Sequence, residues 1–326
     1  MTEHSHPTRR GFIKTASACA AHAALMATPF PAAARTLWSE RTQGRVVAQE
    51  PFGRLESLSE GLWALVSTPL GGDYTTVSNG GILAGTNGVL VIEAFQTPEG
   101  ALWMAEKARE LTGRWPTHVL VTHYHGDHSN GAQGFFPDGT GPSIHVTGTT
   151  RRLKREGMPA DTEPLLRGIW EDAVLLAEDR PGSLDLGGRT VLLSPWQGHT
   201  SSDVTVSLPD EGVTWCGDLV WNGMFPNYMD ATPSQLSRAV RAIQSDGSDT
   251  YVPGHGPLAK DADMSRYLEV INGIEETART ARREGWTAEE AGARHEIRED
   301  LGEWTLFNPS YFQRAVEAWM KEWSGG

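Results

Sequence analysis

The chain has 326 residues, of which 39% are hydrophobic and 21% charged; this is typical of a globular protein and excludes disordered, collagen-like and coiled-coil classes. Its formal net charge of −13 argues against a nucleic-acid partner and against adhesion to anionic membranes, because an acidic surface repels phosphate groups. Two cysteines, Cys19 and Cys216, are too few for a thiolate-rich metal site.

Residues 1–34 have the order of an export signal. The run Arg9-Arg10-Gly11-Phe12 resembles the twin-arginine motif, an Ala-rich stretch follows it, and three alanines at 32–34 offer a small-residue cleavage site. The apolar stretch is too short and too weakly apolar to span a bilayer stably. We therefore expect a signal peptide over 1–34, a mature chain that begins near Arg35 with one cysteine, and a periplasmic location.

Strands dominate the predicted elements of the first half. We expect residues 35–60 to be irregular, with one strand near 45–49. Alternating or continuous apolar residues then predict further strands over 62–67, 75–84, 88–94, 118–122 and 143–146. Apolar residues at helical spacing predict an amphipathic helix over 98–111.

The second half begins with a stretch over 149–177 that is predicted to be mostly helical. Strands are expected over 184–186, 189–195, 203–208, 212–216 and 250–252, and a helix over 233–244. From residue 259 onward the chain is predicted to be helical, with a break near Gly285 and a last helix around 309–323. This order of elements predicts an α/β fold in which two sheets pack together with helices outside.

The strongest chemical signal directly follows the predicted strand 118–122. His123 and His125 are two residues apart on an extended segment, so both rings face the same side and can reach one metal ion. Asp127 and His128 come after Gly126, where the chain can turn, and would point toward a second position nearby. An alternative for Asp127 is the N-cap of a helix that begins near residue 129.

Three further candidate ligands lie near predicted strand ends and next to glycines. They are His199 after Gly198, Asp218 after Gly217, and His255 between Gly254 and Gly256. Each has an ordinary alternative as a loop histidine or a turn aspartate. Together with the histidine cluster they make a set of seven metal-ligating side chains.

These motifs, in this order, resemble those of the metallo-β-lactamase-fold hydrolase superfamily over roughly residues 60–260. The resemblance implies a four-layer αβ/βα sandwich with two metal ions between loops at one edge. It implies that His123, His125 and His199 hold the first ion, that Asp127, His128 and His255 hold the second, and that Asp218 bridges both. Asp127 is also the candidate catalytic residue.

The domain organisation that follows has three parts. Residues 1–34 are the signal peptide, residues 35–260 form the metallo-β-lactamase-fold domain, and residues 261–326 form a C-terminal helical extension packed on the same domain.

Two other features bear on the chemistry. Cys216 is interpreted as a buried core residue that shares a side with Asp218 or lies just beneath it; in the cysteine-type lactamases of the superfamily a Cys stands where this chain has Asp218. Trp221, Phe225 and Tyr228 follow Asp218 and are candidates for the wall of a substrate pocket, or alternatively they cover the C-terminal helices. His118, His145 and His295 are assigned no role.

The resulting hypothesis is an exported dinuclear zinc hydrolase. Five imidazoles and two carboxylates favour two Zn²⁺ ions, with Mn²⁺ or iron as alternatives. A metal-bridging hydroxide would attack the carbonyl of a small ester-like substrate, a lactone, ester or thioester. The alternatives are β-lactamase activity, an iron-type oxidoreductase, and a non-catalytic accessory of a periplasmic redox system. No later segment of the chain is long and apolar enough to be a membrane span.

Overall fold

A computed structural model of the protein describes residues 44–325. The predicted signal peptide and the start of the predicted mature chain lie outside these residues. None of the described helices is both long enough and apolar enough to cross a bilayer.

The first sheet has eight strands in chain order. It is antiparallel from β1 to β5 and parallel from β5 to β8. Its strands are β1 (Arg45–Glu50), β2 (Gly53–Ser59), β3 (Leu62–Ser67), β4 (Gly80–Ala84), β5 (Val89–Ile92), β6 (His118–Leu120), β7 (Ser143–Thr147) and β8 (Val174–Leu176).

The second sheet has five strands in the order β13-β12-β11-β10-β9. Strands β9 to β12 are antiparallel, and β13 runs parallel to β12. The strands are β9 (Gly182–Asp185), β10 (Thr190–Trp196), β11 (Asp203–Leu208), β12 (Val213–Trp221) and β13 (Thr250–His255). Strands β11 and β12 form a hairpin through the short helical turn Pro209–Glu211.

Eight α-helices surround the sheets in the described part of the chain. They are α1 (Pro98–Thr112), α2 (Gly126–Ser129), α3 (Gly148–Glu156), α4 (Pro164–Glu171), α5 (Pro233–Ser245), α6 (Asp261–Glu284), α7 (Ala288–Arg294) and α8 (Tyr311–Trp323). Helix α1 illustrates the local signals: Thr97 Oγ1 accepts a hydrogen bond from Gly100 N, Pro98 begins the helix, and Gly113 ends it at a φ of 74°.

Three apolar clusters form the layers of the molecule. One lies between the two sheets and includes Leu90, Leu120 and Val206. Another contains residues of the first sheet and of α1 and α4, and the third contains residues of β12 and of α5, α6 and α8. The predicted two-sheet α/β sandwich with outer helices is therefore confirmed.

Two strands were not expected from the sequence. Strand β2 lies in a segment predicted to be irregular. Its Arg54 and Glu56 are buried and form an ion pair of 2.7 Å, so charged residues occupy interior positions that a hydrophobic pattern does not reveal. Strand β8 lies in the stretch predicted to be helical; α4 ends at Glu171, and β8 leaves Val174 and Leu175 nearly half exposed. The strand predicted over 75–84 begins only at Gly80.

Candidate metal centre

The seven candidate ligands meet at one edge of the two sheets. The run His123–His128 follows β6 and leads into α2, His199 lies between β10 and β11, Asp218 lies within β12, and His255 is the last residue of β13. All seven are buried except His125, which is partly exposed. Their ligand atoms fall into two groups, and within each group every pair of atoms lies within 4.8 Å.

The first group contains three histidines and one carboxylate oxygen. His199 Nε2 lies 3.0 Å from His125 Nδ1 and 3.2 Å from Asp218 Oδ2. His123 Nε2 lies 3.9 Å from the same Asp218 oxygen. This arrangement of three imidazole nitrogens and one oxygen has the composition of a four-ligand zinc site.

The second group consists of Asp127, His128 and His255. His255 Nε2 lies 3.1 Å from Asp127 Oδ2 and 3.3 Å from Asp218 Oδ1. His128 Nε2 lies 3.1 Å from Asp218 Oδ1. The two oxygens of Asp218 are thus directed at different groups, and the Asp218 carboxylate lies between them.

The Asp127 side chain is part of this cluster and does not cap a helix. Asp127 is the second residue of the short helix α2, whose N-cap position is occupied by His125 without a side-chain hydrogen bond. Its carboxylate instead contacts His255 and, at 3.6 Å, His128. The N-cap alternative is therefore wrong.

Several buried polar atoms of the cluster lack a hydrogen-bond partner among the described residues. They include His123 Nε2, and also His128 Nε2 and Asp218 Oδ1, which lie 3.1 Å apart but without the geometry of a hydrogen bond. A buried polar atom without a partner costs free energy, and native proteins rarely leave several together. Unpaired nitrogen and oxygen lone pairs that converge on one space are the donor set that a divalent cation requires.

The pKa values show where negative charge accumulates. Burial lowers the pKa of His199 to about 3, so this imidazole is neutral at physiological pH. Burial also opposes protonation of His255, but the Asp218 and Asp127 carboxylates outweigh it and raise the pKa to about 9. The pKa of His128 is raised in the same way, chiefly by Asp218 and Glu93 against burial. The second group therefore lies in a strongly negative environment.

Each group has a carboxylate partner that the sequence analysis did not identify. His125 Nε2 lies 2.9 Å from Asp230 Oδ2, which also accepts a 2.7 Å hydrogen bond from Tyr124. His128 Nδ1 lies 3.0 Å from Glu93 Oε1. Carboxylates in these positions fix the orientation of ligating imidazoles. For Glu93 a signal existed, since a charged residue directly follows the apolar strand β5; for Asp230 no local pattern was available.

Glycines allow the close approach of strand β13 to Asp218. A Cβ atom at Gly254 would lie 1.9 Å from Asp218 Oδ1, so any side chain there would displace the carboxylate. Asn79 fixes the same segment to the first sheet, because its Nδ2 donates hydrogen bonds of 2.8 Å to Pro253 O and Gly256 O. The position of His255 thus depends on contacts between both sheets.

Cys216 is buried, as expected, and lies in the apolar cluster between β12 and the outer helices. Burial raises the pKa of its thiol, which is therefore not ionised at neutral pH. Regular alternation along β12 would place Cys216 and Asp218 on one side, but the strand register breaks at Gly217, where φ is 51°. The break lies between the two residues, and only Asp218 belongs to the ligand cluster.

The three candidate wall residues are placed differently. Trp221 is 3% exposed and lies against the cluster, with its ring centroid 4.2 Å from that of His255. Phe225 and Tyr228 are 0% and 2% exposed and stack on each other, and Phe225 packs edge-on against Phe312 of α8. The pocket-wall interpretation is therefore wrong for Phe225 and Tyr228, which pack under the C-terminal helices.

The other histidines of the described chain lie outside the cluster. His118 and His145 form a 3.0 Å hydrogen bond between β6 and β7. His295 Nδ1 is hydrogen-bonded to Thr277 Oγ1 at 2.8 Å. Neither contact adds a ligand to the two groups.

Comparison with known proteins agrees with this arrangement. A family model described as the metallo-beta-lactamase superfamily matches residues 73–255. The hydroxyacylglutathione hydrolase of Acidiphilium cryptum (strain JF-5) is 29% identical over 184 residues, which are 55% of this chain and 66% of that protein. The metallo-beta-lactamase type 2 of Bacillus cereus is 24% identical over 255 residues, which are 75% of this chain and 93% of that protein.

Solved structures show the same fold. A metallo-beta-lactamase from Pontibacter korlensis superposes with a TM-score of 0.56 at 19% identity, covering 68% of this chain and 99% of that one. A second, from Erythrobacter litoralis, gives 0.53 at 18% identity, with 69% and 98% covered. The family match spans more than half of the chain and includes all seven candidate ligands. The chain therefore belongs to the metallo-beta-lactamase superfamily and is a metal-dependent hydrolase.

Proposed function

We propose that this protein is an exported dinuclear zinc hydrolase that cleaves an ester-like carbonyl compound, a lactone, ester or thioester. The observation that carries the proposal is the shared position of Asp218, whose two carboxylate oxygens each face a different group of ligands. In this proposal His123, His125 and His199 would hold one ion, Asp127, His128 and His255 would hold the other, and Asp218 would be shared between them.

The residues present fit two divalent cations. The lowered pKa values of His123 and His199, both caused first by burial, leave these imidazoles neutral and able to donate lone pairs. Asp127 and Asp218 supply two negative charges, which offset part of the charge of the ions. When bound, such ions polarise a carbonyl oxygen and lower the pKa of water.

The remaining steps belong to the side chains of this protein. Burial opposes ionisation of Asp127, but His128 and His255 outweigh it and hold its pKa below the usual range, so Asp127 stays an anion that orients attacking water. Asp230 and Glu93 hold the His125 and His128 rings in the orientations described above. Burial of the cluster excludes bulk water, which strengthens each electrostatic contact.

The surroundings of the cluster support an uncharged acyl substrate. None of the ion pairs made by the seven side chains within residues 44–325 involves a Lys or Arg, the usual partners of phosphate and carboxylate groups. The aromatic ring of Trp221 lies beside the second group instead. The relative from Acidiphilium cryptum is, by its name, a hydrolase of an acylglutathione, which supports an acyl bond and does not bear on the charge of the substrate.

β-Lactams are the second candidate substrates. This candidate is favoured by the similarity to the metallo-beta-lactamase of Bacillus cereus, which extends over 93% of that protein. The buried, un-ionised Cys216 and the carboxylate at position 218 distinguish this site from one with a cysteine ligand.

A hydrolysis panel on the zinc-loaded protein tests the proposal. We expect turnover of at least one lactone, ester or thioester with kcat/KM of about 10⁴ M⁻¹s⁻¹ or more, and much slower turnover of a penicillin and a phosphodiester. A penicillin cleaved at that rate without turnover of the acyl substrates would instead establish the second candidate. Two zinc ions per chain by mass spectrometry are expected, whereas bound iron with visible absorption would favour the oxidoreductase alternative.

Export is tested separately. Replacing Arg9 and Arg10 together by Lys should leave the uncleaved precursor in the cytoplasm, because the twin-arginine route reads this pair. Fractionation followed by N-terminal sequencing of the mature protein, expected near Arg35, provides the measurement. Normal export of the double variant would contradict the proposal.

A further inference from the structure

A segment from the C-terminal part of the chain packs against the candidate metal centre. Residues 303–310 connect the short helical turn Glu299–Leu301 to α8 and lie beyond the residues matched by the family model. Thr305 N donates a 3.0 Å hydrogen bond to Gly223 O, and Phe225 N donates one of 3.0 Å to Thr305 O. These two hydrogen bonds fix the segment to the residues that follow β12, the strand that contains Asp218 and ends at Trp221.

This attachment places one aromatic ring beside the second group of ligands. The centroid of the Phe307 ring lies 6.0 Å from that of His255 and 6.3 Å from that of Trp221, edge-on to both. The centroid of the Tyr311 ring, at the start of α8, lies 6.4 Å from that of Trp221. Unlike Phe225 and Tyr228, Phe307 is only partly buried where it packs against the apolar cluster of β12 and the outer helices.

The backbone on both sides of Phe307 is held in place. Asn308 is buried, and its Oδ1 accepts hydrogen bonds of 2.9 Å from the Ser310 backbone and hydroxyl. Such a turn fixes the chain as it enters α8. The α8 residues Ala315, Val316 and Trp319 are in turn buried among the outer helices. Phe307 therefore has a defined position relative to His255.

We propose that Phe307 is a specificity-determining residue, and that its ring, packed on the buried Trp221, forms an apolar wall that binds the hydrocarbon part of an acyl substrate. This inference rests on the proposed function and names the part of the substrate that the wall recognises: an aliphatic or aromatic acyl chain of several carbons. Phe307 takes the place of Phe225 and Tyr228, which the sequence analysis considered as candidates for the wall of a substrate pocket. Apolar contact with the Phe307 ring favours a hydrocarbon and gives no anchor for an anion.

The test compares short and long acyl chains on the zinc-loaded full chain. In wild type, kcat/KM for p-nitrophenyl hexanoate should exceed that for the acetate. The substitution Phe307→Ala should lower the hexanoate value about tenfold, mainly through KM, because several methylenes lose an apolar partner. The acetate value should fall far less. Phe307→Leu, which keeps an apolar side chain, should restore part of the preference.

A binding measurement makes the result independent of turnover. Acetohydroxamate and hexanohydroxamate bind metal through the same head group and differ in the hydrocarbon chain, so calorimetry gives the contribution of the chain directly. Wild type should bind the hexano compound more tightly, and Phe307→Ala should reduce this ratio about tenfold. Zinc content and melting temperature are measured on each variant.

Phe312→Ala is the matched control, because Phe312 packs against Phe225 and His295, away from the ligands. It should lower the melting temperature and leave the chain-length ratios unchanged. Equal ratios in wild type and Phe307→Ala, or an equal loss in both variants, would overturn the inference. If the hydroxamate ratios are as expected but no ester is hydrolysed, the proposed reaction is overturned and the apolar wall remains supported.

Discussion

The two groups of candidate ligands differ in burial and in charge. The first group is tied through His125 to Asp230, whose side chain is 38% exposed. The second is tied through His128 to Glu93, whose side chain is 2% exposed. The pKa of His199 in the first group is lowered to about 3, whereas that of His255 in the second is raised to about 9.

The difference follows from where the carboxylates lie. The second group contains the Asp127 carboxylate and is contacted by Glu93 and one oxygen of Asp218, while the first group has three imidazoles and the other oxygen of Asp218. Charge interactions are strongest where water is excluded, so the second group attracts a cation mainly through charge and the first mainly through imidazole lone pairs. Mutation of Asp218, which both groups share, and of the residues that contact only one group should distinguish the two groups.

The largest effect is expected for Asp218→Ala, because this carboxylate serves both groups. We expect loss of at least one bound ion and a fall in kcat on the order of 10³-fold, since two cations would face each other with one anion fewer between them. Metal analysis and steady-state kinetics provide the measurement. Asp218→Asn, of equal size, controls for shape; unchanged stoichiometry in both variants would disprove the bridge.

Glu93→Gln should weaken the second group selectively. The substitution keeps the size of the side chain and removes a buried negative charge 3.0 Å from His128 Nδ1. We expect affinity for one of the two ions to fall about 100-fold, the upper end for such partners of ligating histidines. Competition with a zinc chelator measures both affinities, and an equal loss at both positions would contradict the separation of the groups.

Asp230→Asn should affect the first group, and less strongly. Asp230 is partly exposed, so solvent screens its charge, and an amide oxygen can still accept a hydrogen bond from His125 or Tyr124. An approximately tenfold loss of affinity for the other ion is expected. Tyr124→Phe is the companion variant, since it removes one hydrogen bond and keeps the carboxylate. A larger loss of metal affinity in Asp230→Asn than in Glu93→Gln would contradict the proposed order of the two effects.

Cys216→Ser should have the smallest effect and leave metal content unchanged. The hydroxyl would be placed in an apolar cluster, although Thr214 O, which accepts from the Cys216 thiol at 3.6 Å, offers it a partner. We expect a destabilisation of about 1 kcal/mol and a melting temperature lower by a few degrees. Loss of an ion in this variant would show that the thiol takes part in the second group.

The sequence predicted much of this molecule because several signals are local. His123, His125, Asp127 and His128 lie within one run of six residues. The apolar patterns that predicted β3, β11 and α1 are each contained within a single element. Local geometry then determines which side chains share a face. The predicted element order suggested the two-sheet sandwich, and the four motifs supplied the resemblance to the superfamily that agreed with it.

Tertiary structure decided the features that join distant segments. Asp230 meets His125 across 105 positions, and Phe307 meets Trp221 across the whole of α5, α6 and α7. Neighbours in space likewise decide the burial of Phe225 and Tyr228. They also decide the burial of the Arg54–Glu56 ion pair in β2, the strand that the sequence did not predict. A local pattern carries no information about such partners. They arise because packing and paired buried charges are properties of the assembled layers, whereas metal-ligand spacing and hydrophobic periodicity are properties of the chain itself.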